Sequence, residues 1–144
     1  MIKNVMIVDD NKIDLFITKK IIEKYNPDIK TRNFTSGESA LSFLQLCQTD
    51  RGSEVLVIPD LILVDINMPQ MDGFQFVEKL KDKLPVLSKY TKIFMLTSSL
   101  YSEDINRAKN DPMCFGYLCK PLTVEKFAQV YASHPSCPCY KQSS

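Results

Sequence analysis

Apolar and polar residues alternate along this chain in blocks of two lengths. Val5-Met6-Ile7-Val8, Leu61-Ile62-Leu63-Val64, Ile93-Phe94-Met95-Leu96 and Phe115-Gly116-Tyr117-Leu118-Cys119 are short, nearly continuous apolar runs. Runs of this kind predict strands buried on both faces, as in a parallel sheet. Residues 30–34 alternate in character and predict a fifth, weaker strand. Between the runs the pattern changes to helical spacing. Over 12–25, Ile17, Ile21, Ile22 and Tyr25 form the expected inward stripe, with Lys19, Lys20, Glu23 and Lys24 outside and Ile13, Leu15 and Phe16 off it. Ser36-Gly37 opens a helix to about residue 46, with Ala40, Leu41, Phe43 and Leu44 on its apolar side. Another is expected over 74–83, with Phe74, Val77 and Leu80 inward, broken by Leu84-Pro85. Ser102 is the expected N-cap of a short helix with Glu103 and Asp104 in its first turn. Asp111-Pro112 ends that helix, and Thr123 caps a last one reaching residue 132.

Strand followed by helix, five times over, predicts an α/β fold of the (βα)5 type. Five parallel strands would carry helices on both faces; right-handed crossovers leave few topologies, and the doubly wound order 2-1-3-4-5 is the commonest for a sheet of this size. Residues 48–54 predict a loop. Residues 55–58 are apolar but stop at Pro59, so they are expected to be a loop packing its side chains under the sheet.

Composition narrows the class. A chain of 144 residues fits one domain, expected to span 1–132, with a Pro/Ser-rich tail over 133–144 expected to be disordered. The net charge of +1 gives no sign of a nucleic-acid or membrane surface, and a cytoplasmic location is expected. Five cysteines, irregularly spaced, do not suggest a disulfide framework, and Cys119 is expected to be a small core residue. His134, Cys137 and Cys139 lack a fourth ligand and the usual zinc spacing.

The chemistry gathers at the C-terminal tips of the expected strands, where open α/β sheets bind ligands. The first strand ends in Asp9-Asp10, the third in Asp65, the fourth in Thr97-Ser98 and the fifth in Lys120. Each alone has a plain reading, as a helix cap, a turn hydroxyl or a surface charge. Together, in the strand order above, they converge. Three carboxylates crowded together repel unless cations neutralise them, and one lysine is too few. A divalent cation with oxygen ligands, Mg²⁺ or Mn²⁺, is therefore expected. Such a site suits phosphoryl transfer, with Asp65 as nucleophile and Lys120, the Thr97 hydroxyl and the Ser98 N–H around the phosphoryl oxygens.

Val8-Asp9-Asp10, the stretch from Val64 through Asp65-Ile66-Asn67-Met68-Pro69 to Asp72-Gly73, Leu96-Thr97-Ser98 and Gly116-Tyr117-Leu118-Cys119-Lys120-Pro121 resemble the signature of response-regulator receiver domains. The resemblance covers about residues 3–132 and implies a flavodoxin-like fold. It implies that Asp65 is the phosphoacceptor, and that Asp10, Asp65 and the Asn67 backbone carbonyl bind Mg²⁺ directly, with Asp9 acting through a water. Thr97 and Lys120 would hold the phosphoryl group, Thr97 and Tyr117 would form the switch, and Lys120-Pro121 would be cis. It further implies a sensor histidine kinase or phosphotransfer protein as donor, meeting the first helix, and a separate output protein. The residues after the last helix are too few for a DNA-binding domain, so a stand-alone switch is expected, not an enzyme beyond slow loss of its own phosphoryl group. The longer 48–54 loop and the tail depart from the pattern. The alternative weighed is a Mg²⁺-dependent phosphohydrolase with an aspartyl-phosphate intermediate. It is disfavoured because Asn67 stands where that chemistry needs a second acid.

Overall fold

The computed structural model describes residues 2–49, 57–98 and 102–132. Five strands, β1 (Asn4–Val8), β2 (Lys30–Phe34), β3 (Leu61–Asp65), β4 (Lys92–Thr97) and β5 (Cys114–Cys119), alternate with five helices. The helices are α1 (Lys12–Tyr25), α2 (Gly37–Thr49), α3 (Gly73–Lys83), α4 (Ser102–Asn110) and α5 (Val124–Ala132), and a short 3₁₀ turn (Pro85–Lys89) follows α3. All strand pairs are parallel, as the alternation predicts, and the sheet order is β2-β1-β3-β4-β5, the common doubly wound order expected for five strands.

The side-chain period of two divides the core into two layers. Met6 and Val8, Ile62 and Val64, and Ile93 and Met95 face α2, α3 and α4. Val5 and Ile7, Leu61 and Leu63, and Phe94 and Leu96 face α1 and α5, where Ile22, Phe127 and Val130 complete the layer. The central strands are apolar between their ends because each is covered twice. β2, at the edge, keeps Lys30, Arg32 and Asn33 exposed, a charged edge that resists pairing with another chain. In β5 the strict alternation breaks. A register shift against Ile93 and Phe94 lets Tyr117 join the same layer as Cys114. Gly116 fits there because a Cβ would lie 3.0 Å from the Phe94 ring.

Two helices differ from the expected pattern. In α1 the buried residues are Leu15, Thr18 and Ile22, whereas Ile17 is 39% exposed. The inward stripe is thus turned from the expected one, with Ile21 and Tyr25 on its flank. Thr18 is polar and hides the true phase, and the Tyr25 ring is drawn sideways onto Phe127, edge-on at 5.2 Å. Ile13 and Phe16 do remain outside, 71% and 60% exposed. α2 runs through Thr49, so residues 48 and 49 are helical and only the remainder of the expected loop, with Val55 and Leu56, lies outside the described residues. Ile58 packs against the core as expected, while Val57 is exposed. Cys119 is half-buried rather than core; Cys47 and Cys114 are the buried thiols among the described residues.

The turn after β3 is fixed by close packing. The Ile66 N–H donates to the Leu96 carbonyl, and the Gly73 N–H to the Ile66 carbonyl, both at 2.9 Å. Asp72 caps α3 in a capping box with Gln75. A Cβ on Gly73 would stand 2.7 Å from the Asp65 carbonyl oxygen, so only glycine lets α3 start this close to the β3 tip. A Cβ on Gly37 would meet the Met71 sulfur at 2.6 Å, but that is the mobile end of a flexible side chain. Gly73→Ala is therefore expected to destabilise the fold by about 1–3 kcal/mol and Gly37→Ala by clearly less. Urea unfolding of both variants checks the ranking; a larger loss for Gly37→Ala would contradict it.

Candidate functional site

The acids and the lysine meet at the C-terminal edge of the sheet. Asp9 and Asp10 follow β1, Asp65 ends β3, and Lys120 follows β5. Carboxylate oxygens of Asp9, Asp10 and Asp65 lie within 4.8 Å of one another. Asp9 is fully buried, Asp65 nearly so, and Asp10 exposed.

Asp9 has both oxygens engaged. Oδ1 accepts from the Asn11 N–H at 2.9 Å, and Oδ2 from the Lys120 ammonium at 2.8 Å. Asn11 in turn caps α1 through the N–H groups of Ile13 and Asp14, so the Asp-Asp-Asn sequence both ends the strand and starts the helix. Asp65 Oδ1 accepts from the Asn67 N–H at 3.2 Å, and Oδ2 lies 3.3 Å from Lys120 Nζ. The lysine has a third carboxylate partner that the sequence did not reveal: Asp14 Oδ2, at 2.9 Å. An acid in the first turn of a helix reads as a partner of the helix dipole. Only the tertiary fold carries the Lys120 ammonium, 106 residues away in sequence, across to meet it.

Lys120 is held from behind as well. Its N–H donates to the Thr97 carbonyl at 2.8 Å, which joins the β4 and β5 tips. The bond to Pro121 is cis, as the resemblance implies. The Lys126 ammonium donates to the carbonyls of Cys119 and Pro121 at 2.9 and 3.1 Å, fastening the turn on both sides of Lys120. Thr123 caps α5 by accepting from the Lys126 N–H.

Thr97, fully buried, closes β4 one position beyond Leu96, the residue opposite Asp65. Ser98 is exposed beside it, while Ser99 lies outside the described residues. Tyr117 is not in the acidic cluster. It sits half-buried on β5 opposite Met95, against the α2–α3–α4 core layer, with the Lys109 ammonium 5.9 Å from its ring centre. Asn67 is exposed just past the β3 tip. The described residues thus bring Asp9, Asp10, Asp14, Asp65 and Lys120 into one cluster, with Thr97 at its edge and Tyr117 one layer behind.

The charges do not balance. Burial, and next the Asp9 carboxylate, push the Asp65 carboxyl up to about 6, against the opposing pull of Lys120 and the Asn67 N–H. Burial alone would lower Lys120, but its hydrogen bonds to Asp9 and Asp14 and the charges of Asp65 and Asp9 hold it above its ordinary range. One ammonium shared among three carboxylates leaves Asp65, which has the longest contact, least neutralised. Hard oxygen donors this close together fit a hard divalent cation.

The raised Asp65 value carries a stability consequence. A carboxyl that titrates near 6 when folded and near 3.8 when unfolded supports the fold below about pH 4, and that support is lost as pH rises through 6. In EDTA, Asp65→Asn is therefore expected to be more stable than the parent at pH 7.5, by at most about 3 kcal/mol, with the gain shrinking towards pH 4.5. Melting curves at both pH values test this; a gain that grew on acidification would refute it.

Comparison with known proteins agrees with this architecture. The family model for the response regulator receiver domain matches residues 5–132. The polar-differentiation response regulator DivK of Brucella anthropi is 30% identical over 135 residues, covering 93% of this chain and 97% of that protein. A two-component response regulator from Cytophaga hutchinsonii superposes with a TM-score of 0.81 at 26% identity, over 90% of this chain and 94% of that one. The chemotaxis protein CheY4 of Vibrio cholerae shares the fold, with a TM-score of 0.68 at 24% identity over 91% and 97% of the two chains. Among the described residues, no helix is long and apolar enough to cross a membrane. This chain belongs to the response-regulator receiver domain family, the phosphoryl-accepting switches of two-component signalling, and not to the phosphohydrolases weighed as the alternative.

Proposed function

We propose that Asp65 is the phosphoacceptor, that Lys120 and Thr97 bind the phosphoryl group, and that Thr97 and Tyr117 carry its effect to the surface. The observation that supports this most is the placement of Asp65: a nearly buried carboxylate at the central strand tip, within 4.8 Å of two others and 3.3 Å from the lysine.

In this reading an Asp65 oxygen attacks the phosphorus of a phosphohistidine on a sensor kinase or phosphotransfer protein. The new P–O bond forms as the P–N bond breaks, and the imidazole nitrogen leaves with the bonding pair. The Lys120 ammonium and the Thr97 hydroxyl donate to the phosphoryl oxygens. Asp10, Asp65 and the Asn67 carbonyl would hold Mg²⁺, with Asp9 acting through a water, and the ion would offset the negative charge of carboxylates and phosphoryl group together. Asn67 carries no acid to activate a water, so the product persists as a signal and is at most slowly hydrolysed.

The exposed Ile13, Phe16 and Ile17 on α1, beside the cluster, suit the docking of the phosphodonor protein. On phosphorylation, Thr97 turns towards the new oxygens and vacates space that the Tyr117 ring can enter. The face formed by α4, β5 and α5 then shifts its population, and an output protein that distinguishes the two states reads it.

With acetyl phosphate and Mg²⁺, intact-mass measurement is expected to show the addition of one phosphoryl group to the parent and none to Asp65→Asn; labelling of the variant would sink the assignment. EDTA is expected to abolish labelling, and Mg²⁺ to raise the melting temperature of the parent. Thr97→Ala should still be labelled, about tenfold or more slowly. It should also lose most of the chemical-shift change at Tyr117 and across 102–131. Full-sized changes in that variant would disconnect Thr97 from the switch and leave the Asp65 chemistry standing.

A further inference from the structure

An ammonium has three N–H donors. On Lys120 two of them are taken by short charge-assisted bonds, to Asp9 at 2.8 Å and Asp14 at 2.9 Å, and Asp65 is the third and longest contact at 3.3 Å. The two short bonds come from different elements, the β1 tip and the first turn of α1. Each bond alone would leave the side chain free to swing about one anchor. Together they fix the ammonium from two directions and leave its remaining N–H towards Asp65. The pair is not an ordinary surface ion pair: the Lys120 side chain is only 13% exposed and the Asp14 side chain 34%.

We propose that Asp14 is a positioning residue for phosphoryl transfer: with Asp9 it holds Lys120 Nζ so that one N–H stays directed at the group arriving on Asp65. This inference rests on Asp65 being the phosphoacceptor. Lysine is long and flexible, and a group that must meet phosphoryl oxygens gains from being held in place before they arrive. Without Asp14 the ammonium keeps only Asp9 and Asp65 as carboxylate partners. It then closes on the Asp65 oxygens, one of which must be free to attack, and loses its fixed direction towards the phosphoryl group. The incoming group, by contrast, can take the third donor in the parent without breaking either short bond. Asp14 is not called on as a metal ligand, since its role is exerted entirely through Lys120.

The test uses Asp14→Asn, which keeps the size of the side chain and removes its charge. With saturating Mg²⁺ and increasing acetyl phosphate, the maximal labelling rate is expected to fall by on the order of tenfold. The half-saturating acetyl phosphate concentration should stay the same or fall, because one negative charge near an anionic donor has gone. An unchanged or faster maximal rate would overturn the proposal, since it would make Asp14 a bystander or a competitor for the lysine. A second readout needs no phosphorylation. In metal-free protein the Lys120 side-chain ¹⁵N ammonium resonance, assigned by its absence in Lys120→Met, should be visible in the parent and broadened by proton exchange in Asp14→Asn. An unchanged resonance in the variant would overturn the proposal even if labelling slowed. A parent that fails to be labelled at all would instead refute the phosphoacceptor reading, while the ammonium resonance would still judge the hold of Asp14 on Lys120.

Discussion

The sharing of one partly buried ammonium among three carboxylates is the interaction on which the C-terminal edge of this sheet depends. Lys120 joins β1, α1, β3 and, through its own N–H, β4. The arrangement is compact because the backbone around it is tightly fastened. Asn11 and Asp9 bind the start of α1, Gly73 admits α3 against the β3 tip, and Lys126 clasps the turn around Pro121. Together they hold Asp65 buried beside the Asp9 carboxylate, and the raised Asp65 carboxyl is the consequence. A site that is incompletely neutralised at rest is one that a cation and a phosphoryl group can change.

The rest of the molecule supplies the rigidity such a site needs. Central strands β1, β3 and β4 are apolar on both faces, and each layer is closed by helices whose side chains interdigitate with the strand residues. Native-like packing of this kind transmits small displacements rather than absorbing them. Tyr117 occupies a different position. It is half-buried at the border of one layer, on a strand whose register is already shifted at Gly116. Such a ring is less confined than one packed deep inside a layer, such as Phe76 or Phe127.

α1 presents one charged and one apolar surface near the site. Asp14 points back into the cluster, whereas Ile13, Phe16 and Ile17 point outward, with the Lys20 ammonium 5.4 Å from the Phe16 ring. One turn of helix therefore serves both the interior of the site and the surface beside it. The helix can do both because Leu15, Thr18 and Ile22 are enough to hold it on the sheet.

The alternation of strands and helices, and the standing of Asp9, Asp10, Asp65, Thr97 and Lys120 at strand tips, are legible in the chain itself. Those features rest on periods of two and of about 3.6, on caps and on breakers, all of which act over a few residues and can be read locally. The remaining features depend on which surfaces meet in three dimensions. Thr18, a polar residue, faces inward because Leu15 and Ile22 beside it carry the helix onto the sheet, so the α1 stripe turned away from Ile17. Cys119 stayed half-buried because the chain turns immediately after it at Pro121. Asp14 became a partner of Lys120 because the crossovers bring the β5 tip over the start of α1, a juxtaposition of residues 106 apart that no local pattern encodes.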